Sequence, residues 1–189
     1  MRLETGADMN GKTSKHTRNI AFTSILSALS VVFLCIGIFL PTLDLVAAMI
    51  ASYAVILTVC ELGRGYAVGV FASSAVLGLI IAPQNSAALF YAVFMGYYPI
   101  LKSFIEVKLR KRIAAIAVKL LSFNVAFFII LFVGIKFFAF EKFIGWYAIG
   151  IVVLAEFAFI LYDIALTKII FIYFRTARAR LHIGRFLKK

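Results

Sequence analysis

The feature that most constrains this chain is the stretch Ile20 to Leu40, 21 residues without a single charge. At ~1.5 Å per residue, a helix of that length crosses a hydrocarbon core of ~30 Å. Its two sides differ in size rather than polarity. Thr17, Ala21, Ser24, Ala28, Val31 and Cys35 form a stripe of small side chains, and Phe22, Leu26, Leu29, Phe33, Ile36 and Leu40 form a stripe of large ones. Lipid does not favour one apolar face over another, so a small stripe is most useful where a second helix backbone comes close. Either it packs inside the chain's own bundle or it stays open to a partner subunit.

Comparable runs recur along the chain. Of its 189 residues 64% are hydrophobic, and mean hydropathy is +1.05. Soluble domains are closer to half apolar and interrupt their apolar runs far more often. The expected fold is therefore all-α: a polytopic integral membrane protein with a bundle of six transmembrane helices in one compact domain. The spans are expected at about 20–40, 43–60, 66–82, 86–101, 113–135 and 146–168. Residues 1–18 read as a loose polar tail, 19–172 as the transmembrane domain and 173–189 as a basic tail. The apolar region of the first span exceeds the ~7–15 residues of a removable signal, and it reads as a retained helix. Cys35 and Cys60 lie within apolar spans without metal-ligand spacing, which makes them buried thiols.

A net charge of +12 suggests nucleic acid in a soluble protein, but here the charge sits between and beyond the apolar runs. Anionic headgroups and the positive-inside rule produce that distribution, so lipid bilayer rather than nucleic acid is the expected contact. The amino-terminal tail carries four Lys and Arg, the 61–65 turn one, residues 102–119 six and the segment from Lys168 seven. The three alternate loops carry two, Lys136 and Lys142. This asymmetry places both termini in the cytoplasm.

Residues 102–112 continue the fourth span as a cytoplasmic helix, with Lys102–Glu106 and Glu106–Arg110 each four apart. The cluster Lys108, Arg110, Lys111 and Arg112 is either a topology signal on anionic lipid or a docking surface. The carboxy-terminal Arg175, Arg178, Arg180 and Arg185, interleaved with Leu181, Ile183 and Phe186, carry the same two readings. Further small residues mark close helix packing: Ala47 and Ala51; Gly65, Gly69 and Ser73; Ala88, Ala92 and Gly96.

Ionisable groups at membrane depth are functional candidates by default. Glu156 lies ten residues beyond Trp146, about 15 Å along a helix. Asn124 lies twelve residues before Lys136, about 18 Å. If Lys136 and Trp146 mark the same boundary, the two side chains meet. Glu156 is then a protonated, hydrogen-bonded packing residue, part of an outward-opening ligand cavity, or a proton or ion carrier. Asp163 lies roughly on the same face, nearer the cytoplasm, where Lys168 and the basic tail compensate it. Lys119 reads as snorkelling. Asp44 reads as a cap on the second span or part of an outer mouth. Gln84 and Asn85 form the next outer turn, and with Tyr91 and Trp146 they frame a possible pocket. Tyr97, Tyr98 and Pro99 read as an interfacial belt.

The chain has no phosphate loop, nucleophile elbow or metalloprotease helix motif, and His16 and His182 fall in the tails. No catalytic residue, metal site or cofactor is expected, and the chain is not read as an enzyme. Any uphill movement draws on an ion gradient or a separate subunit.

The run Thr17-Arg18-Asn19-Ile20-Ala21, followed by Ser24, Ala28 and a long apolar helix, resembles the start of the substrate-binding S components of energy-coupling factor (ECF) transporters. Length, six spans and cytoplasmic termini agree with that resemblance. In that family, alanines four apart on the first helix contact the coupling helices of a transmembrane T component. Two cytoplasmic ATPases drive the cycle, and a vitamin or metal ion is bound from outside. The matching positions are Ser24 and Ala28, a serine standing where the family has its first alanine. Much of the chain also resembles uncharacterised membrane proteins of Gram-positive bacteria.

The expected function is thus a small-molecule-binding membrane subunit of a transporter in a bacterial plasma membrane. Glu156, Asn124, Asn85 and Tyr91 would line the substrate cavity, while Ala21, Ser24 and Ala28 would face the partner. The alternative is a non-transporting membrane scaffold or assembly factor with basic docking surfaces. Orientation is directly testable in a chain with Cys35 and Cys60 replaced by serine. A thiol in Lys142→Cys is expected to react with an impermeant maleimide on intact cells, and one in Lys12→Cys is not. Equal labelling of both contradicts the assigned topology.

Overall fold

A computed structural model describes residues 4–39, 41–83, 85–109, 111–138 and 147–177. Among these residues the chain is helical throughout, and six helices are long and apolar enough to cross a membrane. The elements are α1 (Glu4–Phe39), α2 (Asp44–Glu61), α3 (Arg64–Ile81), α4 (Ser86–Phe90), α5 (Tyr98–Lys108), α6 (Arg112–Phe138) and α7 (Tyr147–Ile172). The fourth span is compound: α4 passes through a π-helical turn at Tyr91–Met95 into α5, so it runs from Ser86 to Lys108. Continuation past residue 101 follows the expected helical extension, which stops at Lys108 rather than 112. The amino-terminal segment also differs from expectation. From Glu4 onward it is helical and continuous with the first span, not a loose tail.

The surface carries large apolar side chains on every long helix, including Ile25, Val76, Phe104, Phe128 and Phe157. Such a surface is costly in water and ordinary in hydrocarbon. The interior is built from small residues. Ala47, Ala48, Ala51, Ala54 and Val55 bury one side of α2, the central helix, which packs on α1, α3, α4 and α5. Helix α1 buries Leu26, Ser27, Ser30 and Leu34; the Ser30 hydroxyl donates to the Ala51 carbonyl of α2 at 3.0 Å, and the Ser27 hydroxyl to the Val70 carbonyl of α3 at 3.4 Å. The small stripe of α1 is thus exposed in its first four positions and half-buried at Val31 and Cys35. Thr17, Ala21, Ser24 and Ala28 are exposed, and the Ser24 hydroxyl is folded back onto the Ile20 carbonyl of its own helix at 2.9 Å.

Helix α3 departs similarly from expectation. Gly65 and Gly69 face outward, the Ser73 hydroxyl meets that of Ser27 on α1, and Ala67, Val70, Ser74, Ala75 and Gly78 are the buried positions. The turn from α2 into α3 follows the sequence reading. Gly63 takes φ +88°, which other residues rarely adopt, and its N–H and that of Leu62 both close onto the Thr58 carbonyl.

Gly96 follows the π turn, where the backbone comes nearest to a neighbouring helix. A Cβ there would stand 2.6 Å from the Phe71 ring and 2.8 Å from the Tyr91 carbonyl. The carbonyl cannot give way as a flexible side chain would. Gly96→Ala is accordingly expected to destabilise the protein by about 1–3 kcal/mol. A lowered thermal unfolding midpoint in detergent would register this, and an unchanged midpoint would contradict the close approach.

Candidate functional site

Helices α6 and α7 are largely exposed, and specific polar and aromatic groups tie them to the first four spans. The main tie is a charge cluster on α5, α6 and α7. Lys102, only 1% exposed, donates to the Asp163 carboxylate and, at 2.8 Å, to the Thr167 hydroxyl. It also pairs with Glu106 at 3.1 Å, the expected four-residue spacing. Lys119 of α6 joins the same two acids, at 2.8 Å to Glu106 and 3.3 Å to Asp163. The Tyr98 hydroxyl donates to Asp163 at 2.7 Å. Two lysines and two carboxylates leave no net formal charge, the arrangement a low-dielectric setting requires.

This cluster corrects three sequence expectations. Asp163 is compensated by Lys102 and Lys119, and among the described residues Lys168 forms no ion pair with it. Lys119 does not snorkel, because its ammonium reaches inward to the two acids. Tyr98 is fully buried rather than part of an interfacial belt. These partners come from helices distant in sequence, and only the register of α5 against α7 shows them. The paired spacing of Lys102 and Glu106 was the one local signal.

A second tie crosses α6 and α7. The Asn124 amide donates to Glu156 at 2.6 Å, and to the Leu120 carbonyl of its own helix at 3.0 Å. The two side chains matched by depth thus touch. The other carboxyl oxygen of Glu156 is buried without a hydrogen-bond partner among the described residues. A third tie joins α2 to α7 through the Ser52 and Tyr162 hydroxyls at 3.0 Å, and Tyr162 also reaches the Met95 carbonyl at 3.3 Å.

Asn85 and Tyr91 lie elsewhere. The Asn85 side chain caps α4 by accepting from the Ala87 N–H at 2.8 Å, and its amide donates to the Leu34 carbonyl at 3.3 Å. Tyr91 is buried, with its hydroxyl on Ser74 at 2.7 Å. The structure therefore brings together two of the four expected lining residues; of the other two, Tyr91 serves a helix contact, and Asn85 also lines a separate cavity of about 460 Å³ with Asp44. Asp44 is the first residue of α2 rather than its cap. Its carboxylate accepts from the Ser86 hydroxyl and links the starts of α2 and α4. Gln84, Arg110 and Trp146, and the basic residues from Arg178 onward, lie outside the described residues.

The ties surround an apolar cavity of about 510 Å³ between α2, the π turn, α6 and α7. Leu45 and Met49, Phe90, Phe94 and Met95, Phe123 and Phe127, and Ala155, Phe159 and Tyr162 supply most of its wall. Phe94 is the hub, with ring centroids 5.3 Å from Phe123 and 5.7 Å from Phe159, which stack on each other at 4.6 Å. Neither Glu156 nor Asn124 lines the cavity, although their sequence neighbours Ala155 and Phe123 do. The π turn presents Phe94 and Met95 to this space, and turns of this kind are frequent at functional sites.

Removing one partner from the charge cluster leaves its counterpart buried and unpaired, at a cost of about 3–5 kcal/mol. Lys102→Met and Asp163→Leu are each expected to lower stability by that order, and the double variant to lose much less than their sum. Additive losses in thermal unfolding would show that the two side chains do not interact.

No protein-family model, curated protein or solved structure matches the chain, so a functional reading rests on its own residues.

Proposed function

We propose that the chain is a membrane-embedded small-molecule-binding subunit of a transporter, similar to the S components that its first helix resembles and energised by separate subunits. The observation that carries this reading is the cavity of about 510 Å³, within the range that takes small ligands. It lies where four of the spans converge, beside an irregular turn in one of them. The tie between Asn124 and Glu156 stands behind the wall formed by Phe123 and Ala155 and holds α6 and α7 in register. In this reading both termini are cytoplasmic. Ala21, Ser24 and Ala28, exposed on α1, form the surface that a transmembrane partner covers.

A second reading, a non-transporting scaffold, draws on one specific observation. Glu156 and Asn124 hydrogen-bond to each other and do not face the cavity, as packing residues would.

Mild-detergent affinity purification of the tagged chain from its own membranes separates the two. The transporter reading predicts recovery of a transmembrane partner with two ATPases, lost on Ser24→Trp and Ala28→Trp. Recovery without ATPases, unaffected by these substitutions, would favour the scaffold.

A further inference from the structure

We infer that the cavity's ligand is a lipophilic molecule with a long hydrocarbon chain, taken from the surrounding bilayer rather than from water. This deepens the binding-subunit reading and rests on it. The first argument is the chemistry of the wall. Its side chains are Leu, Met, Phe, Ile, Ala and one Tyr, with no charged group, amide or aliphatic hydroxyl. The Tyr162 hydroxyl is already engaged by Ser52 and by the Met95 carbonyl. A water-soluble vitamin would leave its polar groups unpaired against such a wall, at a cost of several kcal/mol by the transfer scale (about 2–7 per group). A hydrocarbon chain leaves nothing unpaired.

The second argument is position. The α7 portion of the wall runs from Ala155 to Ala165, inside the span Gly150–Arg175 and away from its ends. Two wall residues, Leu45 and Leu161, are also 43% and 52% exposed, so the same side chains belong to the cavity and to the outer apolar surface. That surface meets acyl chains when the protein is in a membrane, and the route from bilayer to cavity needs no passage through water.

The test uses the full chain in phosphatidylcholine vesicles containing a trace of phosphatidylcholine with a diazirine at the acyl terminus. Irradiation and peptide mapping then locate the label. Labels are expected on the buried Phe94 and Phe159 as well as on the outer Phe128 and Phe157. As the probe fraction rises, inner and outer labels should grow together, because probe and carrier lipid compete equally for the cavity. Filling the space with Ala155→Trp, or with Ala158→Trp should the first fail to fold, should lower the inner labels about tenfold, equivalent to roughly 1.4 kcal/mol, and spare the outer ones. Labels confined to the outer surface, or inner labels that the filling substitution leaves unchanged, would overturn the inference. Native mass spectrometry of the same preparations separates its failure from that of the binding-subunit reading. A bound water-soluble molecule lost in the tryptophan variant would refute only the lipophilic ligand, whereas no bound molecule and no inner label would refute both.

Discussion

The arrangement of the later helices depends on the buried ion pair between Lys102 and Asp163. Helix α6 presents large apolar side chains on most of its surface, and α7 does the same. Between apolar helices in hydrocarbon there is little hydrophobic preference for contact over lipid. What selects one docking of α7 is a polar requirement. Asp163 on α7 needs cations, and Lys102 on α5 and Lys119 on α6 supply them. Glu106 balances the second positive charge. A small rotation of α7 would strand these groups in a setting that penalises unpaired charge.

With that end pinned, the hydroxyl and amide ties extend the register along the helices. Ser52 with Tyr162, and Asn124 with Glu156, are spaced so that α7 is held by α2 on one side and by α6 on the other. Each such bond is modest within a membrane, averaging about 0.6 kcal/mol. Their value lies in specificity more than in strength. The aromatic cluster centred on Phe94 then spans the remaining gap, and the unfilled space beside it is the cavity. A closely packed block of α1 to α4 thus carries a looser wall of α6 and α7, and the site lies at the boundary between them.

Much of the architecture was legible in the residues because it rests on one-dimensional properties. Length and absence of charge mark the helices from Ile20 onward, and Gly63 marks the turn at its positive φ. Depth counting from Lys136 and Trp146 was enough to pair Asn124 with Glu156, since two helices sharing a boundary place similar counts at similar height. Rotation about the helix axis was not legible in the same way. Stripes of small residues on α1 and α3 predict close packing, but Ser24 and Gly69 face outward and Ser30 and Ala67 face inward. Size alone does not say which stripe a neighbour uses. Lys102 reads as part of a cytoplasmic helix extension and Lys119 as snorkelling to the interface. Their burial follows from Asp163, 61 and 44 residues away in sequence. The cavity has no polar signature at all, so its wall of Phe, Met and Ala reads as ordinary membrane helix until the helices are assembled.

The most direct measurement is zero-length cross-linking of the purified protein with a hydrophobic carbodiimide. The reagent activates a carboxyl group, and an adjacent lysine amine displaces it to form an amide. The account predicts a peptide joining Asp163 to Lys102 or Lys119. A peptide joining Asp163 to Lys168 instead, or activation of Asp163 without any cross-link, would contradict it.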